Sequence, residues 1–135
     1  MAKRFLGMIL TFVLPTMFLI GCKSQNIKLN VIGENINNIE ILSLPESEDF
    51  NKTLYNIEDI DTIVKYLNSI NPFITKENLD EYVGQSIIIK INYKDGSTRK
   101  YNHFGNKFIK EDEVELYEVK YDEAEKLEEI INNIK

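Results

Sequence analysis

Apolar and polar positions follow three rhythms along this chain, and each predicts a different element. Residues 5–20 carry no charge and follow the basic pair Lys3 and Arg4. From Ile27 the rhythm changes. Ile27, Leu29 and Val31 alternate with Lys28 and Asn30, the period of a half-buried strand. The turn Gly33-Glu34-Asn35 precedes a second expected strand over 38–44. An acidic loop over 45–49 and a short strand over 52–55, returning beside the second, come next. Asn56 is placed to cap a helix, with Glu58 and Asp59 in its first turn, where they suit the helix dipole. Ile57, Ile60, Ile63, Val64, Leu67 and Ile70 then fall at helical spacing as one apolar stripe, ending before Pro72. Residues 75–82 read as one further turn.

The second half returns to alternation. Ile87, Ile89, Ile91 and Tyr93 share one strand face, with Lys90 and Asn92 on the other. Asp95-Gly96 marks a hairpin with two possible registers. A two-residue loop sets Lys100 and Asn102 opposite Ile91 and Ile89. A three-residue loop Lys94-Asp95-Gly96, with Gly96 left-handed in a G1 bulge, sets Arg99, Tyr101 and His103 there instead. The longer loop also gathers Lys90, Asn92, Thr98, Lys100 and Asn102 on the solvent face. A one-residue slip reverses every side chain, so this sorting favours it. Gly105-Asn106 resembles a type II′ turn leading into a strand over 107–110. The acidic turn Glu111-Asp112-Glu113 precedes a last strand over 114–119. Asp122 and Glu125 have capping-box spacing, and Ala124, Leu127, Ile130, Ile131 and Ile134 form the stripe of a C-terminal helix. The expected fold class is α+β, an antiparallel sheet with two main amphipathic helices packed on one face, in a single domain over 27–135.

The uncharged run ends in Leu19-Ile20-Gly21-Cys22. A basic start, an apolar stretch and a small residue before a cut are the parts of a secretory signal. The ending Leu-x-Gly-Cys resembles the lipobox of bacterial lipoproteins. A permanent membrane helix is the rival reading. The run of sixteen residues falls just short of the ~17–25 a spanning helix needs, and Pro15 interrupts it. The resemblance implies that 1–21 is a signal peptide and that Cys22 receives a diacylglyceryl group and becomes the new N-terminus. Two acyl chains anchor more firmly than one. Residues 22–26 are then a lipidated terminus and short tether, and the expected location is the cell membrane, on its extracytoplasmic face.

Cleavage would leave 114 of the 135 residues, enough for one core. Cys22 is the only cysteine, so no intramolecular disulfide forms. Losing Lys3 and Arg4 takes the 16 basic side chains to 14 against 22 acidic ones, and the formal charge from −6 to −8. That sign argues against nucleic acid and against docking on anionic headgroups by charge. Heavy use of Asn, Ile and Lys, with no Trp, fits AT-rich codons and a low-GC Gram-positive host.

Candidate chemistry is sparse. His103 is the only histidine. A nucleophile pair would need it with Ser97 or Ser86, yet no GxSxG elbow surrounds any serine. No HxxxH or HxH spacing supports a metal site, and the carboxylates of Glu46-Glu48-Asp49 and Glu111-Asp112-Glu113 do not match a calcium loop. Glu123, Glu125, Glu128 and Glu129 read as a solvated helix face. No cofactor motif is present. Tyr93, Tyr101, Tyr117 and Tyr121 cluster in the sheet half, where tyrosine suits strands and binding surfaces alike. The expected function is a non-enzymatic module that binds an extracytoplasmic protein, peptide or small ligand. The face Lys90, Asn92, Thr98, Lys100 and Asn102, or its tyrosine-rich margin, is its candidate binding surface. The alternative is a small cell-surface hydrolase using His103. Over 57–70 and 86–101, the Asp-rich helix start, Ile-rich strand and Tyr-Lys-Asp-Gly hairpin resemble small uncharacterised lipoprotein domains of Clostridium-like Firmicutes. That resemblance supplies no catalytic residues.

Overall fold

The computed structural model describes residues 27–48, 50–75, 77, 84–112 and 115–134. The motif Leu19-Ile20-Gly21-Cys22, the signal 1–21 and the tether 22–26 lie outside these residues, as does most of the turn expected over 75–82. The elements are β1 (Ile36–Leu44), β2 (Lys52–Leu54), α1 (Ile57–Ser69), β3 (Phe73–Ile74), β4 (Ser86–Tyr93), β5 (Thr98–Phe104), β6 (Phe108–Glu111), β7 (Glu115–Glu118) and α2 (Tyr121–Asn133). All seven strands form one sheet in the order β2-β1-β4-β5-β6-β7-β3, with every pairing antiparallel. Strand alternation and helical stripes bury the same layer. Ile39, Ile41, Ile87, Ile89, Ile91, Tyr101 and Ile109 from the sheet share one core with Ile63, Leu67, Leu127 and Ile131 from the helices. The fold is α+β, as the sequence predicts. Among the described residues no helix is long and apolar enough to cross a membrane.

The β4–β5 hairpin takes the three-residue register. Ile91 faces Arg99, Ile89 faces Tyr101 and Ile87 faces His103, and Gly96 carries φ +87°. Asp95 locks the turn by accepting from the Ser97 amide at 2.9 Å and the Ser97 hydroxyl at 2.6 Å. Those bonds hold the Asp95 carboxyl below its usual range. Asn56 caps α1 by accepting from the Glu58 amide at 3.0 Å.

Several expectations need correction. The alternation at Ile27, Leu29 and Val31 does bury Leu29 and Val31, but the segment joins no sheet. Its backbone groups are taken by side chains instead. The Val31 amide donates to Asn68 Oδ1 at 2.8 Å, and Asn68 Nδ2 donates to the Val31 carbonyl at 2.9 Å. The Arg99 guanidinium donates to the carbonyls of Leu29 and Asn30 at 3.3 and 3.4 Å. Asn30 itself is left-handed, at φ 48°, which breaks an extended ladder. Ile57 opens α1 but is 77 % exposed, because the first helical position lies at the edge of the buried stripe. The Gly105-Asn106 turn has positive φ at both residues, 63° and 49°, the signature of type I′ and not type II′. Lys120 is the N-cap of α2, without a side-chain cap bond, so Asp122 lies in the first turn and closes no capping box. The edge strand β3 has only two residues, too few for alternation to reveal.

Candidate functional site

Three turns converge where the β4–β5 hairpin meets the N-terminal end of α1. The chain enters through Ile32 to Ile36, where Asn35 adopts φ 62° and its carbonyl accepts from the Lys94 amide at 2.8 Å. This bond ties the entry turn to the hairpin tip. Tyr55 and Ile57, either side of the cap residue, supply the third wall. Two concavities result. One, of roughly 590 Å³, lies between Ile32, Tyr93, Ser97 and Arg99. The other, of roughly 760 Å³, lies between Asn37, Tyr55, Ile57, Ile60 and Asp61. Glu34, Asn35 and Lys94 line both, so the two are halves of one recessed surface. Ile32 is 66 % exposed and Tyr55 72 %; with Ile57 they place three large apolar side chains around it.

The electrostatics of the recess are mixed. Lys94 stands against Glu34, Asp61 and Asp95, so no single sign dominates. Arg99 is engaged from below. It pairs with Glu111 and lies 5.4 Å from the centroid of the Tyr101 ring. Partial burial works against the Arg99 charge, but Glu111 outweighs it and the guanidinium is held more firmly protonated than usual. The Tyr101 hydroxyl donates to Glu111 Oε1 at 3.2 Å. Burial first, and then the Glu111 carboxylate, push its ionisation well above the ordinary tyrosine range. Tyr117, which bonds Glu115, is raised in the same way by burial and then by that carboxylate. Arg99 is thus the one member of this network that lines the recess, and its guanidinium is already paired with Glu111.

The sequence-predicted residues divide clearly. Lys90, Asn92, Thr98, Lys100 and Asn102 do share the outer sheet face, as the register requires. Glu40 of β1 lies among them, however. It accepts from Lys90 Nζ at 3.2 Å and from Asn92 Nδ2 at 2.6 Å, and those bonds keep its carboxyl below the usual range. Asn92 also donates to Asn38 at 2.7 Å. The Lys100 amide donates to the Asp112 carboxylate at 2.7 Å. Lys90 and Asn92 are thus engaged within the sheet and Glu40 offsets the basic character of the face, whereas Asn102 Oδ1 is buried without a hydrogen-bond partner among the described residues.

His103 is 3 % exposed, between Ile87 and Ile109 on the neighbouring strands, and its Nε2 has no hydrogen-bond partner among the described residues. Burial lowers its pKa to about 4, so the ring is neutral at physiological pH. Ser86 lies on the opposite sheet face, and Ser97 precedes β5, six residues from His103 and about 20 Å away at the rise of a strand. Neither forms a pair with His103. Among the described residues no group of three or more His, Cys, Asp or Glu is arranged to hold a metal ion.

The sequence pattern does not reveal the recess: Ile57 falls on the helical stripe of α1 and Tyr55 at a strand end. One signal was present: Ile32 follows Val31 directly, so the alternating segment cannot bury both. No family model matches the chain, and no curated protein and no solved structure matches it either.

Proposed function

We propose that this chain is an extracytoplasmic lipoprotein, held in the cell membrane through a diacylglyceryl group on Cys22. Its folded domain is then a non-enzymatic module that binds a protein or peptide through the recess at the hairpin end. The observation that carries the binding reading is the exposure of Ile32, Tyr55 and Ile57 around concavities that share Glu34, Asn35 and Lys94. Exposed apolar side chains on both sides of the shared Glu34, Asn35 and Lys94 suit a polypeptide surface better than a small ion. The anchor reading is carried by Leu19-Ile20-Gly21-Cys22 after an uncharged run. A hydrolase built on His103 draws no support from a ring that is buried, neutral and unpartnered at Nε2.

Two tests separate the parts of this reading. Radiolabelled fatty acid should enter the wild-type chain and not Cys22→Ser; label retained in the variant refutes the anchor. For the recess, Tyr55→Ser with Ile57→Glu changes two exposed side chains, and a glutamate in the first turn suits the α1 dipole. Crosslinking in native membranes should lose the partner in this double variant, with unchanged thermal stability. Lys90→Glu with Lys100→Glu alters the sheet face instead. Loss of the partner there, and retention in the recess variant, transfers the binding site to the sheet.

A further inference from the structure

The end of the domain opposite the recess carries a second exposed apolar group, and the course of the chain says what covers it. Residues 27–33 run antiparallel to α1. Gly33 lies beside Val64, Val31 is clasped by Asn68, and Lys28 Nζ donates to Asn71 Oδ1 at 2.6 Å. Ile27 therefore meets the domain at the C-terminal end of α1. Three other pieces converge there. Asn71 donates through its amide and its side chain to Glu123, in the first turn of α2, at 3.2 and 3.1 Å. β3 pairs with β7, setting Phe73 opposite Glu118 and Ile74 opposite Tyr117, and α2 begins at Tyr121 just beyond. Phe73, Ile74 and Tyr121 are 37 %, 69 % and 63 % exposed.

We infer that this end, through Phe73, Ile74 and Tyr121, seats directly on the lipid bilayer. The inference rests on lipidation at Cys22. Four residues, 23–26, separate Cys22 from Ile27, and the five steps between their Cα atoms reach at most about 18 Å. A domain of this size is wider, about 26 Å across even by twice its radius of gyration. The exit end must stay near the headgroups while the recess, a helix length away, faces outward. Aromatic and branched side chains at that depth bury apolar surface at the interface, and tyrosine is well suited to its polar boundary. The anchor raises their local concentration at the bilayer, so even a weak contact is populated. Charge does not drive it. Lys28 and Lys120 are balanced by Asp122 and Glu123 in the same region, and the domain as a whole is acidic.

The chain has no tryptophan, so a single introduced indole is a clean reporter. Ile74→Trp, Tyr121→Trp and, at the far end, Tyr55→Trp are each introduced into the full-length lipidated protein. Each is reconstituted into phosphatidylcholine vesicles, with and without lipids brominated high on the acyl chain. The expected result is that brominated lipid quenches the indole of the Ile74→Trp and Tyr121→Trp proteins, while Tyr55→Trp keeps its emission. The quenching should persist at high salt. Protein that floats with the vesicles but shows no quenching in either exit-end variant overturns the seating while the anchor stands. Unquenched emission together with a crosslink between two copies through this end also overturns it, assigning the patch to self-association. Protein that does not float overturns the anchor and the seating together.

Discussion

Replacing Asn68 with alanine tests whether side chains hold the 27–33 segment in place of a sheet ladder. Asn68 both donates to and accepts from the backbone of Val31, at 2.9 and 2.8 Å, as an adjacent strand would. Two such bonds contribute about 0.5–1.5 kcal/mol each. Alanine recovers roughly 0.5 kcal/mol through its better helix propensity. The net loss is then about 0.5–2.5 kcal/mol, a fall in midpoint of roughly 4 °C per kcal/mol for a domain near 100 residues. Urea denaturation measures the total, and amide hydrogen exchange locates it. The Val31 amide should lose protection selectively, while the Ile89 and Ile91 amides in the sheet centre keep theirs. Asn68→Asp retains the acceptor and removes the donor, so it should fall between wild type and alanine. A Val31 amide that stays protected in Asn68→Ala refutes the clasp.

His103 has its folded pKa lowered to about 4 from an ordinary 6.5, so the unfolded chain binds the extra proton between those values. Its contribution is whole above pH 6.5 and is lost as pH falls, by about 3 kcal/mol at pH 4 given roughly 1.4 kcal/mol per unit. His103→Leu should flatten that part of the urea-midpoint curve, and an unchanged slope contradicts the burial argument. Lys52 in β2 donates to the carbonyls of Ile131 and Ile134 at the end of α2, which has no basic residue in its own last turn. Lys52→Met should cost about 1–2 kcal/mol and fray that turn, read as faster exchange of its amides. Gly96 has φ +87° with nothing within 4 Å of an added Cβ, so Gly96→Ala meets backbone strain and no clash. The expected loss is about 1 kcal/mol by thermal melting, with Gly96→Asn milder.

Legibility in the sequence tracked how many residues each decision rested on. Eight residues of β4 and seven of β5 alternate cleanly, so their register followed from asking which choice sorts lysine and asparagine outward. The Asn56 cap and the stripe of α1 are equally plain, except at Ile57. The 27–31 segment failed for a specific reason. Alternation reports burial on one side, and it was satisfied; it does not report what the backbone bonds to, and here that is Asn68 and Arg99. β3 was invisible because two residues carry no period. The recess is not legible because it is assembled from residues as far apart as Ile32 and Arg99, held by a backbone bond between Asn35 and Lys94. His103 was placed correctly on the inner face, since a residue two positions from Tyr101 must share its side.

The sheet is open, yet its two boundaries are only three and two residues long, β2 and β3. Unpaired strand edges template association with other chains, and the risk rises with local concentration. Proteins confined to a surface meet one another in two dimensions and in similar orientations, which is the geometry most favourable to edge-to-edge growth. Short boundaries offer few free amides and carbonyls to a neighbour in that plane. On a membrane anchored as proposed, these truncated margins leave a neighbouring copy few edge groups to pair with.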